Sequence, residues 1–495
     1  MRRRPAERAL APLAPGLLRA AAPPDAATRT ALAVVLACAL ALRLPGLNAG
    51  LWFDEIQTLV SYVRLPLRDV VTTFDSQNQH LLYSLLAALS VRAFGDAAWA
   101  LRLPAVLFGV ASIGATYWLG RLVTARREAL LAAALLAGSY HHVWFSQNAR
   151  GYTGLLLFTL LGTGLFVQLL GGRAQRPRAW LAYGAVMALA HYTHTSAALV
   201  SVAHAAIWLA LVLGRPREEW PVRLRDAPAL ALGASAAVTL LLYAPVLTQV
   251  AHTTLADTHG GAGGRWQAPS WLVSEMLRGL AAGLPGGWLT LAAGVVVTAV
   301  GVGSYARQSR ALLALLLLPA VVTAAVIIGL GHNLWPRFFF FSAGFAALIV
   351  VRGVFALGAA LLPARGPALA TAALAAGCVA SLTTVPAAWQ PKQDFVGADA
   401  FVRRAVAAGD AVAALDMSGF VYTKYLPHAA TLVDSGDALR ALEARHRRTW
   451  VIYTFPQRLA AVQPAIWRRL ERDYRPAAAF PGTVREGTVF VVVRP

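Results

Sequence analysis

The sequence predicts a mainly α-helical, polytopic membrane protein. It should have about eleven transmembrane helices, its N-terminus inside, and a small C-terminal α/β domain on the outer face. Three observations carry this. The 495 residues are 58% hydrophobic and only 14% charged, where a soluble domain is about a quarter charged, and mean hydropathy is +0.57. Apolar runs of near-membrane length recur through the first 385 residues. Beyond residue 390 the runs shorten to strand length and charge rises. Disorder, a secreted disulfide scaffold and an ordinary soluble enzyme are excluded. Cys38 and Cys378 both lie in apolar runs, which leaves neither a disulfide framework nor a cysteine metal site. The net charge of +21 is nearly all arginine, since Lys392 and Lys424 are the only lysines. Much of it falls between apolar runs, which marks topology rather than nucleic-acid binding.

In chain order, residues 1–29 read as a cytoplasmic tail, with Arg2, Arg3, Arg4 and Arg8 and no small-residue cleavage site. Residues 30–386 form the transmembrane domain. Its candidate spans are 30–47, 102–119, 129–145, 151–170, 179–192, 197–213, 227–250, 285–302, 311–330, 338–361 and 368–385. A twelfth run, 80–95, sets the topology. Laid on the outer surface as a half-buried helix, it leaves the arginine-bearing segments 121–127, 173–178, 215–225, 307–310 and Arg365 in the cytoplasm, as the positive-inside rule requires. If it spans, they invert. The first placement is the expected one. It puts outside a loop at 48–100, a turn at 146–150, the segment 191–195, a glycine-rich loop at 251–283 and a turn at 331–336. The outer domain, 390–495, should hold strands at 411–415, 449–453 and 488–493, with helices at 398–408 and 438–447.

The outer loop opens with Gly50-Leu51-Trp52-Phe53-Asp54-Glu55 and continues through Asp75, Asn78, His80 and Tyr83. A carboxylate at the membrane boundary gains basicity as it loses solvation, which suits a base that deprotonates a hydroxyl. Helix capping by the same acidic pair is the alternative. Arg102, Arg150 and Arg337 sit at outer ends of spans, where the topology rule disfavours them. Their planar forks suit phosphate oxygens, although each one alone could simply snorkel to the headgroups. His191 and His194 have metal-compatible spacing but no acidic or thiol companion nearby. Trp266, Trp271 and Trp288 fit an interfacial belt or a sugar platform. His141 and His142 lie late in a span and suggest no role.

These residues resemble the GT-C superfamily of membrane glycosyltransferases. The likeness is to the family 39 and RgtA/B/C/D-like branch, related to protein O-mannosyltransferases and aminoarabinose transferases. The Gly50–Glu55 motif, Asn78-Gln79-His80-Leu81-Leu82-Tyr83, Leu101-Arg102-Leu103-Pro104-Ala105, Leu119-Gly120-Arg121 and Ser146-Gln147-Asn148-Ala149-Arg150-Gly151-Tyr152 carry it. Tyr192-Thr193-His194 and Pro336-Arg337-Phe338 add to it. The resemblance implies Asp54 as catalytic base with Glu55 beside it. It also implies donor phosphate or sugar contacts from His80, Tyr83, Arg102, Arg150, Tyr152, His194 and Arg337. Two departures stand out: prolines usual after the histidine are Leu81 and Leu82 here, and Phe338 replaces a tyrosine.

The reading is transfer of a sugar from a polyprenyl-phosphate donor to an acceptor hydroxyl, with inversion, at the outer face of the inner or plasma membrane. The partners are that lipid donor, a protein, lipid or glycan acceptor, and membrane lipids. No cofactor, metal or nucleic acid is called for. The 260–264 run lacks the phosphate-loop pattern Gly-x-x-x-x-Gly-Lys. A multi-span lipid or glycan transporter or flippase would show repeats and mid-membrane charges. A diphosphate-linked glycan polymerase or ligase would not need the acidic pair.

Overall fold

The computed structural model describes residues 12–14, 16–19, 23–173, 176–256, 265–426 and 430–495. Among these, six helices are long and apolar enough to cross a membrane. They are Ala98–Val123, Tyr152–Leu170, Ala227–Thr254, Trp288–Gln308, Arg310–Gly329 and Pro336–Leu361. The other five predicted spans are also helical but shorter or broken. Ala26–Ala41, Pro177–Thr193, Ala197–Leu213 and Gly366–Ser381 have 16 or 17 residues. The 129–145 run divides into Arg126–Ala137 and Tyr140–Ser146, where the Ser139 side chain caps the new helix at the His142 N–H.

Backbone contact replaces side-chain packing between Trp288–Gln308 and Ala343–Leu361. A Cβ on Gly301 would lie 2.1 Å from the Ile349 carbonyl oxygen, and one on Gly353 2.0 Å from that of Val297. Small residues permit such closeness where lipid gives no hydrophobic drive. A polar tie joins the first helix to the centre. Buried Arg43 donates from Nε to Ser146 Oγ (3.0 Å) and from Nη2 to His142 Nδ1 (2.6 Å), and His142 Nε2 meets Ser112 Oγ at 2.9 Å. His142, which the sequence left without a role, is thus a structural linker.

The glycine-rich loop predicted at 251–283 needs correction. Helix runs on to Ala256, and Pro269–Gly283 is itself helical; residues 257–264, with the 260–264 run, lie outside the described residues, as do Arg2, Arg3, Arg4 and Arg8 of the predicted tail. The 80–95 run forms the 14-residue helix Leu81–Phe94. Its Tyr83, Ala87 and Ala88 share one buried cluster with Ile56 and Leu59 of the first loop and with Val412, Tyr422, Ile452 and Val491 of the C-terminal domain.

That domain holds a five-stranded sheet: β1 Ala411–Leu415, β2 Ala430–Val433, β3 Thr449–Tyr453, β4 Arg475–Phe480 and β5 Val489–Arg494. The order is β2-β1-β3-β5-β4, with β2, β1 and β3 parallel and the last two antiparallel. One face of the sheet joins the first-loop cluster; the other packs on Leu439, Leu459, Ile466 and Leu470. The domain therefore shares a core with the loop. Asp416 (φ 46) follows β1 and Phe455 (φ 49) closely follows β3, and Phe420 beyond β1 meets Phe53 edge-on at 5.9 Å. The carboxyl edge of the parallel strands thus faces the first loop. β2 has only four residues, and β4 is an edge strand with Pro476 at a register shift; neither gives the alternating β-branched signal that a sequence reading needs.

Replacing Gly353 with alanine should force these two helices apart and cost about 1–3 kcal/mol. Thermal unfolding in detergent will check this; an unaltered midpoint would contradict the backbone contact.

Candidate active site at the first loop

Helix Phe53–Thr58 places the acidic pair. Residues adjacent on a helix point about 100° apart, so Asp54 and Glu55 have separate surroundings. Glu55 turns inward and is completely buried. Arg102 grips it with two prongs, Nε to Oε1 at 2.8 Å and Nη2 to Oε2 at 2.6 Å, and the Ala149 N–H donates to Oε1 at 2.7 Å. The Trp52 N–H closes the set on Oε2 at 3.3 Å, a capping-box contact. Burial alone would raise this carboxyl, but Arg102 and the hydrogen bonds hold it below the usual carboxylate range. Arg102 spends its remaining donors on the carbonyls of Leu47, Ala49 and Gly50, at 2.8–3.1 Å. The oxygens of Glu55 and the donors of Arg102 are thus all engaged within the protein. Tyr83 is buried, with its hydroxyl on the Leu101 carbonyl at 2.7 Å.

Asp54 faces the other way. Its Oδ2 accepts from Arg337 Nη1 at 3.1 Å, and its main-chain carbonyl accepts from Thr58 Oγ1 (2.8 Å) and Asn78 Nδ2 (3.1 Å). Arg337 rides over the Trp335 ring at 5.2 Å, and its buried Nε has no partner. Trp335 in turn packs on Trp266 and Trp271 at 5.0 and 5.6 Å, whereas Trp288 is 58% exposed.

Arg150 is buried beside this group. Nη1 donates to Thr58 Oγ1 (3.2 Å) and to the Asn78 carbonyl; Nε has no partner. Its Nη2 lies 3.2 Å from His80 Nε2. His80 Nδ1 accepts the Gly151 N–H at 2.7 Å, which leaves the ring proton of the neutral imidazole on Nε2. Two donors therefore stand 3.2 Å apart with no acceptor between them. The His194 ring lies 4.5 Å from that of His80, and its Nδ1 accepts the Ser196 N–H at 3.2 Å, so in the neutral ring its Nε2 also carries the proton. Tyr152 sits against both imidazoles at 5.5 and 5.4 Å. Burial, then the neighbouring Arg150, His194 and Arg337, push His80 well below an ordinary histidine; burial, Arg150 and Arg337 push His194 down to about 3.

Of the predicted residues, Asp54, His80, Arg150, Tyr152, His194 and Arg337 come together, while Glu55, Tyr83 and Arg102 form the frame behind them. His191 points elsewhere, to Thr239 Oγ1 (2.7 Å) and Ser201 Oγ (3.0 Å). Sequence reasoning missed Thr58, which had no signal, and Lys392, whose signal was rarity. Lys392 is buried, donates to the Gln147 carbonyl at 2.6 Å and lies 5.0 Å from the Trp144 ring centre. Burial, opposed by Glu55, brings it down to about 7.

With this geometry in view, comparison with known proteins gives a class. Residues 78–248, less than half of the chain, match the family model described as dolichyl-phosphate-mannose-protein mannosyltransferase. The fold is that of the GT-C membrane glycosyltransferases, and the resemblance carried by the sequence motifs holds. Among solved structures, ArnT from Cupriavidus metallidurans bound to undecaprenyl phosphate is 14% identical. It superposes with a TM-score of 0.52 over 94% of this chain and 97% of its own. The Archaeoglobus fulgidus oligosaccharyltransferase, complexed with Zn and sulfate, gives 12%, 0.57, 93% and 72%. AglB from the same organism, complexed with an inhibitory peptide and a dolichol-phosphate, gives 11%, 0.56, 94% and 74%. No curated protein matches by sequence.

Arg102→Ala should abandon a buried carboxylate and cost about 3–5 kcal/mol; a thermal midpoint equal to wild type would refute the framing role. Lys392 predicts a pH signature. Its folded value near 7 lies below the ordinary lysine value of about 10.4, so between the two the unfolded chain holds more protons and stability rises with pH. The thermal midpoint of wild type should gain more between pH 7 and 9 than that of Lys392→Met; equal gains would contradict the shift.

Proposed function

We propose that this chain is a glycosyltransferase that moves a sugar from a polyprenyl-phosphate donor to an acceptor hydroxyl, with inversion, at the outer face of the membrane. The observation that carries the reading is the meeting of Asp54 with Arg337 at 3.1 Å, next to the His80–Arg150 pair of unopposed donors. A carboxylate suited to accept a proton thus borders a cluster suited to hold a phosphate. Two relatives in fold, ArnT and AglB, were solved with undecaprenyl phosphate and dolichol-phosphate, which supports a lipid phosphate as the ligand here.

The donor phosphate sits against His80 Nε2, Arg150 and Arg337, while Tyr152 and His194 close one wall. Neutral imidazoles serve as donors without adding charge, and the two guanidinium groups take up the charge that grows on the leaving phosphate. Aimed donors of this kind are worth about 3–4 kcal/mol each in comparable oxyanion sites. Asp54 removes the proton of the acceptor hydroxyl. The acceptor oxygen then bonds to the anomeric carbon as the bond to the phosphate oxygen breaks on the opposite side, and polyprenyl phosphate departs. Before the donor arrives, Arg337 occupies Asp54; the phosphate competes for that guanidinium and releases the carboxylate for its task. Donor binding therefore precedes proton transfer.

On this reading residues 1–29 are the cytoplasmic tail, 30–386 the catalytic domain with eleven spans, and 390–495 the outer domain, in an inner or plasma membrane. The shared core of the C-terminal domain with helix Leu81–Phe94 supports keeping that helix on the same side as the domain.

Asp54→Asn should reduce transfer by about 10²–10⁴-fold with undecaprenyl phosphate affinity within about twofold. Radiolabelled polyprenyl phosphosugars and a fluorescence titration in nanodiscs read the two quantities, and near-wild-type transfer would remove Asp54 as the base.

A further inference from the structure

The C-terminal domain reaches into the site through two consecutive residues, Lys392 and Gln393, 4% and 1% exposed. The Gln393 Oε1 accepts the Phe53 N–H at 3.1 Å. Phe53 opens the helix that bears Asp54, and the first N–H groups of a helix have no partner within it. Trp52, the preceding residue, offers no side-chain acceptor for them. Gln393 is thus the cap, supplied from 340 residues away. Its amide nitrogen donates to Thr454 Oγ1 (3.1 Å) and to the Gly487 carbonyl (3.2 Å), and Thr454 Oγ1 donates to that carbonyl too. Thr454 follows β3 and Gly487 precedes β5, so one side chain fixes the end of the sheet to the start of the Asp54 helix.

Lys392 holds the other half. Its Nζ is 2.6 Å from the Gln147 carbonyl, three residues before Arg150, and its own carbonyl accepts the Val484 N–H at 3.0 Å. The charged groups facing that ammonium are Glu55 and Arg102. From within, Glu55 joins the same two segments through Trp52 and Ala149. The Asp54 turn and the Arg150 turn are therefore held from both sides.

We propose that Lys392 and Gln393 are positioning residues that set the spacing between the Asp54 carboxylate and the anion-binding donors, making the C-terminal domain part of the transfer site. This rests on the function proposed above. A misplacement of about 1 Å can cost about 10²-fold in rate, so the effect belongs in turnover rather than in donor affinity.

The test uses the full chain in nanodiscs. Gln393→Leu and Lys392→Met should each lower kcat by about tenfold or more, with undecaprenyl phosphate affinity within about twofold of wild type. Hydrogen exchange should quicken in peptides covering 51–60 and 146–152. If Gln393→Leu does not fold, Gln393→Asn, an amide one methylene short, carries the same expectation. Wild-type kcat and exchange in both positions, or a loss of phosphate affinity matching the loss of kcat, would overturn the proposal. The two readings fail separately: an active Asp54→Asn sinks the base, whereas an inactive one beside a fully active Gln393→Leu sinks only this assignment.

Discussion

Everything at the mouth of this protein depends on the ion pair between Glu55 and Arg102. Burying two charges is costly, and only thorough hydrogen bonding repays it. Here the carboxylate takes both prongs of the guanidinium and two backbone N–H groups, while the guanidinium satisfies three further carbonyls. The result is less a gain in stability than a fixed direction. With Glu55 locked inward, its neighbour Asp54 is turned about 100° away, towards Arg337, and Ala149, hung from the same carboxylate, delivers Arg150 to the same place.

The site therefore divides into a sealed frame and an open set of donors, a division that residue type alone does not reveal. Arg102, Arg150 and Arg337 look alike in the sequence: all three are arginines at span ends where the topology rule disfavours them. What separates them is whether acceptors surround the side chain. Arg102 meets a full complement, while the Nε atoms of Arg150 and Arg337 meet none. The acidic pair was ambiguous for the same reason, since capping and catalysis both ask for a carboxylate early in a helix. Glu55 does the first, which leaves Asp54 free for the second in the proposed reaction. His80 and His194 were legible as members of motifs, but not as neighbours 4.5 Å apart, because their proximity comes from tertiary packing.

Helices were easier to read than their lengths. Hydropathy located an apolar helix at every predicted span, yet Gly138 and Ser139 break one run and several others fall short of a membrane thickness. Periodicity also found β1 and β3 to the residue, since both are central, buried strands. It failed where a strand is four residues long or built from alanine and proline. Gln393 gave no signal at all, because capping a helix hundreds of residues away is invisible to any local pattern.

In parallel α/β sheets the crevice beyond the carboxyl ends of the strands is where ligands ordinarily settle. In this domain the first loop and Gln393 already fill the ground next to Thr454 and Phe420. The sheet has consequently exchanged a receptor's vacancy for a mason's bracket, and its integrity becomes a condition of the loop's own solubility. Loss of the sheet would strip the cover from Ile56, Leu59 and Tyr83, leaving a sticky apolar scar beside the proposed transfer site.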